Sequence, residues 1–254
     1  MAGFETHIGV STVLGIGYGA AGYYLGLPVE SCLLSAGLCS LSGMLPDLDS
    51  DSGVPVRETM SLTAAVVPLL LIERVRELGW SHEIIVLAAA AMYLVVRFGV
   101  ATIFQRFTVH RGMWHSIPAC FTAGFLAFLL VSGYNLDVRL FKAGGVVLGF
   151  MSHLVLDEIW SFSVRGGRLQ VKRSLGTALK FWGKDSWANF SVYAKLAIAA
   201  FLAIGDPLLM SRMGREMKVG QQTAQEWFQQ KMRTAGVQPL PNNNPNSENN
   251  SWQR

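Results

Sequence analysis

The chain has 254 residues, of which 51% are hydrophobic and only 15% charged, and its formal net charge is +4. Soluble domains carry about a quarter charged residues, so this composition argues against a soluble protein and favours a membrane protein. No basic segment resembles a nucleic-acid-binding module, and three cysteines without CxxC spacing exclude a zinc-thiolate motif and a disulfide framework.

Seven apolar segments approach the roughly 20 residues that a membrane-spanning helix needs. The third is short and contains Pro68, which leaves a crossing helix and a broken or re-entrant helix as alternatives. Residues 1–7 contain no Lys or Arg, so the first segment is predicted to be a span and not a cleaved signal peptide. The predicted fold class is all-α, a polytopic transmembrane helix bundle with about six or seven spans. The segments lie near residues 8–27, 29–45, 60–73, 83–104, 116–133, 139–157 and 191–209.

The composition becomes more polar after the sixth segment. Residues 161–191 contain six Lys or Arg and one Asp, which predicts a basic loop at the membrane interface. Residues 211–254 form a polar tail, in which residues 221–232 can form an amphipathic helix and the residues from about 241 are predicted to be disordered. The predicted organisation is a transmembrane domain over residues 1–210 followed by this tail.

Four polar clusters interrupt the apolar pattern, and they contain four of the five histidines. If every intervening segment crosses the membrane, all four clusters reach the same face. His153 and Asp157 are four residues apart, so they share one face of a helix. Ionisable residues inside a span are energetically expensive and usually functional. The clusters are ETHIGVS around His7, PDLDSD (46–51), HRGMWHS (110–116) and SHLVLDE (152–158).

Each cluster also has a purely structural interpretation. His7 alone fits an interfacial polar residue, PDLDSD fits a turn with a helix cap, and HRGMWHS fits a charged loop. Taken together, imidazoles and carboxylates on one face are suitable ligands for zinc or manganese. They are more numerous than one open zinc site requires, so one or two divalent ions are expected. The candidate metal ligands are His7, Asp47, Asp49, His110, His115, His153 and Asp157.

Other polar residues of the clusters have candidate roles beside the metal. Arg111 is placed to hold an anionic group. Asp49 is either a ligand or a general base. Asp51 and Glu158 are candidates for orienting the ligands.

The ordered set of an N-terminal His, PDxD, HRGxxHS and SHxxxD resembles the bacterial YdjM-like family of LexA-regulated, membrane-bound metal-dependent hydrolases. The resemblance covers roughly residues 5–160 and implies a multi-pass inner-membrane hydrolase with a metal site. The chain has Trp114 and Trp160 where the family usually has Thr, which leaves the substrate open. The family's motif positions fall on His7, Asp47, Asp49, His110, Arg111, His115, His153 and Asp157.

The leading functional hypothesis is a metal-dependent hydrolase acting on a phosphoester or a lipid-linked substrate at the membrane surface. A metal-ion or proton transporter or channel, and a non-catalytic membrane scaffold with a structural metal, are the alternatives. The ionisable residues cluster at span ends, with Arg97 as the main internal exception, which favours a surface site over a transport path. Lys and Arg are more numerous on the face of the clusters, which predicts a cytoplasmic site. The sequence leaves the oligomeric state open.

Overall fold

A computed structural model describes residues 3–49, 54–100, 113–133, 135–165, 168–171 and 178–234. The chain divides into two compact units, residues 1–206 and residues 207–254. Long helices make up most of the described chain, and several of them are apolar. The prediction of an all-α membrane helix bundle is therefore confirmed.

The first unit is a bundle in which helices from distant parts of the sequence pack together. Helices α1, α2 and α6 contact one another, α5 contacts α6 and α7, and α3 contacts α4. The elements in chain order are α1 Phe4–Tyr24, α2 Val29–Ser42, a 3₁₀ helix Leu45–Asp49, α3 Val54–Glu77, α4 His82–Leu94 with a π-helical continuation Val95–Val100, α5 Ile117–Leu130, α6 Leu136–Ile159, β1 Phe162–Arg165, β2 Arg168–Val171 and α7 Ser186–Ile204.

Three described helical stretches are long and apolar enough to cross a membrane, namely His82–Gly99, α6 and α7. Helix α2, residues 59–72 of α3, and α5 are shorter apolar helices. Helix α3 continues through Pro68 without a break over 24 residues, a length of about 36 Å at the usual helical rise. The alternative of a broken third helix is therefore wrong, and the crossing of the membrane by this segment stays a prediction. Proline is tolerated inside membrane helices because neighbouring groups can satisfy the freed backbone carbonyl.

Glycines allow α2 and α6 to approach closely. A Cβ atom at Gly149 would overlap the carbonyl oxygen of Cys39, and a Cβ at Gly145 would lie 2.9 Å from the carbonyl oxygen of Ser35. The Ser35 hydroxyl also donates a hydrogen bond to the carbonyl of Phe141 at 3.3 Å. Small residues and short polar contacts are the main sources of helix packing in lipid, so these contacts hold residues 141–149 of α6 against residues 35–39 of α2.

The prediction of a loop throughout residues 161–191 is wrong. Strands β1 and β2 form an antiparallel hairpin in which Phe162 lies opposite Val171. Helix α7 begins at Ser186, and the Asp185 carboxylate accepts hydrogen bonds from two N–H groups of its first turn. The alternating sequence FSVR-GG-RLQV is a hairpin signal, because two glycines suit a tight turn between alternating strands.

The second unit contains one long described helix, α8, over Pro207–Thr234. It includes the segment predicted to be amphipathic, and Trp227 and Phe228 are both exposed on it. Residues 235–254, including those predicted to be disordered from about 241, lie outside the described residues.

Candidate metal centre

Five of the predicted ligands lie together in the first unit. Asp157 Oδ1 is 3.4 Å from His7 Nε2, and Asp47 Oδ1 is 3.7 Å from His115 Nε2. His153 Nε2 is 3.6 Å from Asp47 Oδ1 and 3.8 Å from Asp157 Oδ2. Four of these side chains are at most 5% exposed, and Asp47 is 22% exposed. We call these five residues the His/Asp cluster.

The cluster is assembled from four separate places in the fold. His7 lies in the first turns of α1, and Asp47 lies on the 3₁₀ helix. His115 directly precedes the N-cap of α5, while His153 and Asp157 lie one turn apart on α6. Alternation of spans correctly indicated that these motifs meet, although the sequence did not show which side chains face each other.

The hydrogen bond of His153 to the backbone determines which of its ring nitrogens can bind a ligand. His153 Nδ1 lies 2.7 Å from the carbonyl oxygen of Gly43. A carbonyl can only accept a hydrogen bond, so Nδ1 carries the proton and the neutral ring has its lone pair on Nε2. Nε2 has no hydrogen-bond partner among the described residues. A backbone carbonyl that fixes the tautomer in this way is typical of metal-binding histidines.

The three imidazole rings of the cluster are in direct contact through the ring of His153. The rings of His7 and His153 are stacked, with centroids 3.7 Å apart and an interplanar angle of 11°. The ring of His115 lies edge-on to His153 at 5.6 Å. Two stacked imidazolium ions in a buried site would repel each other, and metal ions bind imidazole in its neutral form.

The spacing of the cluster atoms matches the size of a zinc-type site. Nitrogen and oxygen ligands at about 2.1 Å from a tetrahedral ion lie about 3.4 Å from one another. The His-to-Asp distances of 3.4–3.8 Å are close to this value. They are longer than good hydrogen bonds, and an ion between the groups would suit this spacing.

Two overlapping groups of three ligands can be drawn within the described residues. One is His7, Asp47 and His153, and the other is His115, His153 and Asp157, each with its ligand atoms within 4.8 Å of one another. Both groups need His153, whose Nδ1 is already bonded to Gly43. Because Nε2 binds a single ion, the described residues fit one ion centred on His153.

Asp47 is the ligand of the cluster that lies outside the spanning helices. Burial raises the pKa of Asp47, and the imidazoles of His115, His153 and His7 lower it by more, so this pKa lies below its usual range. The ionised carboxylate is therefore favoured in the folded state. Its contribution to stability is present above the usual carboxylate pKa and is lost as the pH falls through the lowered value.

Two backbone contacts that position the cluster were not predicted from the sequence. One is the Gly43 carbonyl, which no side-chain motif can indicate. The other comes from Trp114, whose Nε1–H donates to the carbonyl of Leu45 at 2.8 Å. That bond ties the segment before α5 to the 3₁₀ helix of Asp47, so the residue that departs from the family pattern connects two segments of the cluster.

Most of the remaining predicted site residues are not placed by the structure. His110, Arg111 and Asp51 lie outside the described residues, and Asp49 is described only in its backbone. Glu158 follows Asp157 on α6 and is half-buried. The roles assigned to these residues remain predictions. His82, the histidine outside the motifs, is exposed at the start of α4.

The fold and the cluster define a class, a membrane helix bundle with a buried constellation of histidines and aspartates. The model of the YdjM inner membrane protein family matches residues 1–205. The chain therefore belongs to the YdjM inner membrane protein family, and it is an inner membrane protein. No curated protein and no solved structure matches the chain.

Proposed function

We propose that the protein is a metal-dependent hydrolase that cleaves a phosphoester at the surface of the inner membrane. The observation that supports this most strongly is the environment of His153. Its Nδ1 is bonded to a backbone carbonyl, and its Nε2 lies between two carboxylates in a buried site. Without a cation, the lone pair of Nε2 and the two carboxylates would face one another unfavourably, because buried charge is costly unless it is compensated.

The His/Asp cluster supplies the residues that would hold one divalent ion, zinc or manganese. Such an ion supplies positive charge that stabilises the negative charge developing on a phosphoester during hydrolysis. The protein orients His153 through Gly43 and shields the ligands from bulk water. Any second ion would need ligands other than His153 Nε2.

Two residues are proposed to act on the substrate. Arg111 is two residues before Met113 in the segment that leads to His115, and its guanidinium would hold the anionic phosphoryl group. Asp49 is two residues beyond Asp47 on the same 3₁₀ helix and would take a proton from the attacking water, or serve as a further ligand. The site is proposed to face the cytoplasm.

The distribution of ionisable residues supports a hydrolase more than a transporter. A transport path needs polar groups through the middle of the bundle. Residues 143–152 of α6, directly before His153, contain no ionisable side chain. Near the start of α6, before this apolar stretch, Arg139 forms a buried bidentate ion pair with Asp206. The cluster thus lies at one end of α6 with an apolar stretch behind it.

Hydrolysis can be tested with purified protein that is stripped of metal and then reloaded with zinc or manganese. Phosphate release is measured on a panel of phosphoesters that includes lipid phosphates. The wild type should become active only after reloading, and His153→Ala should be at least about 100-fold less active. His82→Ala is the matched control, because it removes an exposed histidine, and it should retain full activity.

Two results would contradict the proposal. Equal turnover in His153→Ala and the wild type would show that the cluster is not the active site. Metal binding without hydrolysis of any phosphoester in the panel would favour the structural-metal alternative over an enzyme.

A further inference from the structure

An apolar cavity of about 220 Å³ lies among the helices of the first unit. Its walls come from α2, the 3₁₀ helix, α3, α5 and α6, with Val96 and Trp114 completing the lining. Among the described residues that line it, none is charged, and Ser42 and Thr63 provide the only side-chain hydroxyls. Leu126 is part of the lining and is 46% exposed, so the cavity reaches the outer surface of the bundle beside it.

The cavity and the His/Asp cluster are built from the same short segments. Leu45 and Leu48 line the cavity, and Asp47 between them belongs to the cluster. Trp114 lines the cavity, and the next residue, His115, belongs to the cluster. An apolar space is therefore adjacent to a polar, metal-binding constellation. This arrangement suits an amphiphile with an apolar chain and an anionic head.

Thr63 provides a second, independent observation. Its Oγ1 atom is buried in the wall of the cavity and has no hydrogen-bond partner among the described residues. A buried hydroxyl without a partner is energetically costly, whereas an ester carbonyl entering the cavity would accept its hydrogen bond. A purely hydrocarbon occupant would leave this hydroxyl unsatisfied.

We infer that the cavity holds one acyl chain of an ester-linked membrane lipid whose phosphorylated head lies at the His/Asp cluster. The inference rests on the proposed function and narrows its substrate to a lipid phosphoester. The cavity lies among helices of an inner membrane protein, where lipid acyl chains are the most abundant apolar molecules. An acyl chain can enter from the bilayer at Leu126, so the lipid does not have to leave the membrane completely to be bound.

The inference can be tested by photolabelling, which requires neither hydrolysis nor metal. Full-length protein is reconstituted in phosphatidylcholine vesicles containing phosphatidic acid with an ester-linked, diazirine-bearing acyl chain. Peptide mass spectrometry then locates the label. In the wild type, the label should be concentrated on residues 59–72 of α3 and on α5, and not on the exposed face of α4.

Filling the cavity should prevent the labelling. Ala127→Phe places a large side chain inside the cavity, and Leu126→Trp narrows its edge at a position that is already partly exposed. Either variant should reduce the label about tenfold, the loss expected when roughly two methylene groups no longer fit. The matched control is Ala90→Phe, an equal change at an exposed position of α4, which should label like the wild type.

The hydroxyl is tested separately by Thr63→Val, which preserves the side-chain shape. It should reduce labelling by the ester-linked probe about fivefold, the effect of one hydrogen bond, and leave labelling by an ether-linked probe unchanged. Wild-type labelling in both cavity-filling variants, with metal content preserved, would overturn the inference. If instead the label is lost in those variants while no phosphoester is hydrolysed, the lipid site stands and the hydrolase proposal fails.

Discussion

Helices α2 and α6 are in close contact at Gly149. Adding a single methyl group there, with Gly149→Ala, tests how the fold positions the site. Gly149 packs on the Cys39 carbonyl, and one turn farther along both helices His153 bonds to the Gly43 carbonyl. Because residues four apart share a helix face, both contacts belong to the same helix–helix interface. Gly149→Ala should therefore destabilise the bundle and also disturb the metal site.

The expected size of the effect follows from the geometry. The added Cβ would lie 2.8 Å from the Cys39 carbonyl carbon, whereas ordinary contact begins at 3.4 Å, so the helices must separate by at least about 0.6 Å, and the Cys39 carbonyl oxygen lies closer still. Metal–ligand distances tolerate only about 0.2 Å, so affinity should fall at least about tenfold. Overpacking should lower the free energy of unfolding by about 1–3 kcal/mol, and the better helix propensity of Ala should raise it by about 1 kcal/mol.

The assay combines thermal unfolding of detergent-purified protein with titration of metal into the stripped protein. Gly149→Ala should lower Tm by a few degrees, given about 2–4 °C per kcal/mol for a chain of this size. Gly17→Ala on α1 is the matched control, because no atom lies within 4 Å of its added Cβ, and it should leave Tm and metal affinity at least as high as in the wild type. Unchanged affinity and Tm in Gly149→Ala would refute the reasoning.

Three further predictions concern the ion pair, the substrate anion and the orientation. Arg139→Met leaves the Asp206 carboxylate buried without its guanidinium, so unfolding should become easier by about 3–5 kcal/mol, whereas metal affinity should not change. Adding Asp206→Leu should restore most of the stability, which thermal unfolding can measure. Arg111→Ala should abolish phosphoester hydrolysis but retain the metal, as measured by turnover and metal analysis. Single cysteines at Ser50 and Ser174, in a cysteine-free background, should react with a membrane-impermeant reagent only after the membrane is opened, because the excess of Lys and Arg on this face predicts that it is cytoplasmic.

Each of these predictions has a clear contrary result. Wild-type stability in Arg139→Met would show that the ion pair does not matter to the fold. Wild-type turnover in Arg111→Ala on every active substrate would remove its anion-binding role and leave the metal site in place. Ready labelling of both cysteines in intact cells would invert the orientation and place the site on the periplasmic side.

The helices and the meeting of the motifs could be predicted because each depends on local sequence properties. Apolar segments of sufficient length specify helices in a membrane, and the alternation of crossings brought residues such as His7 and His153 to one face. The i, i+4 spacing of His153 and Asp157 placed both side chains on one side of α6. These inferences require no knowledge of how distant helices pack.

The parts that could not be predicted depend on pairing between distant segments. The Gly43 carbonyl has no side-chain signature, and the role of Gly149 is apparent only once Cys39 is known to face it. In the sequence, Trp114 is only a departure from the family motif. In the structure, its indole N–H connects two segments of the cluster. The β1–β2 hairpin is a different case. Its alternating pattern around two glycines is a local signal, so the sequence is sufficient to predict it.

The proposed metal site is tested most directly by metal stoichiometry and ligand spectroscopy of the purified protein. We predict one zinc or manganese ion per chain, with a K-edge absorption spectrum that shows nitrogen and oxygen ligands and no sulfur. His153→Ala should lose most of the ion, and His82→Ala should keep it. Full occupancy in His153→Ala, or a sulfur ligand from one of the three buried cysteines, would contradict a metal centre built on the His/Asp cluster.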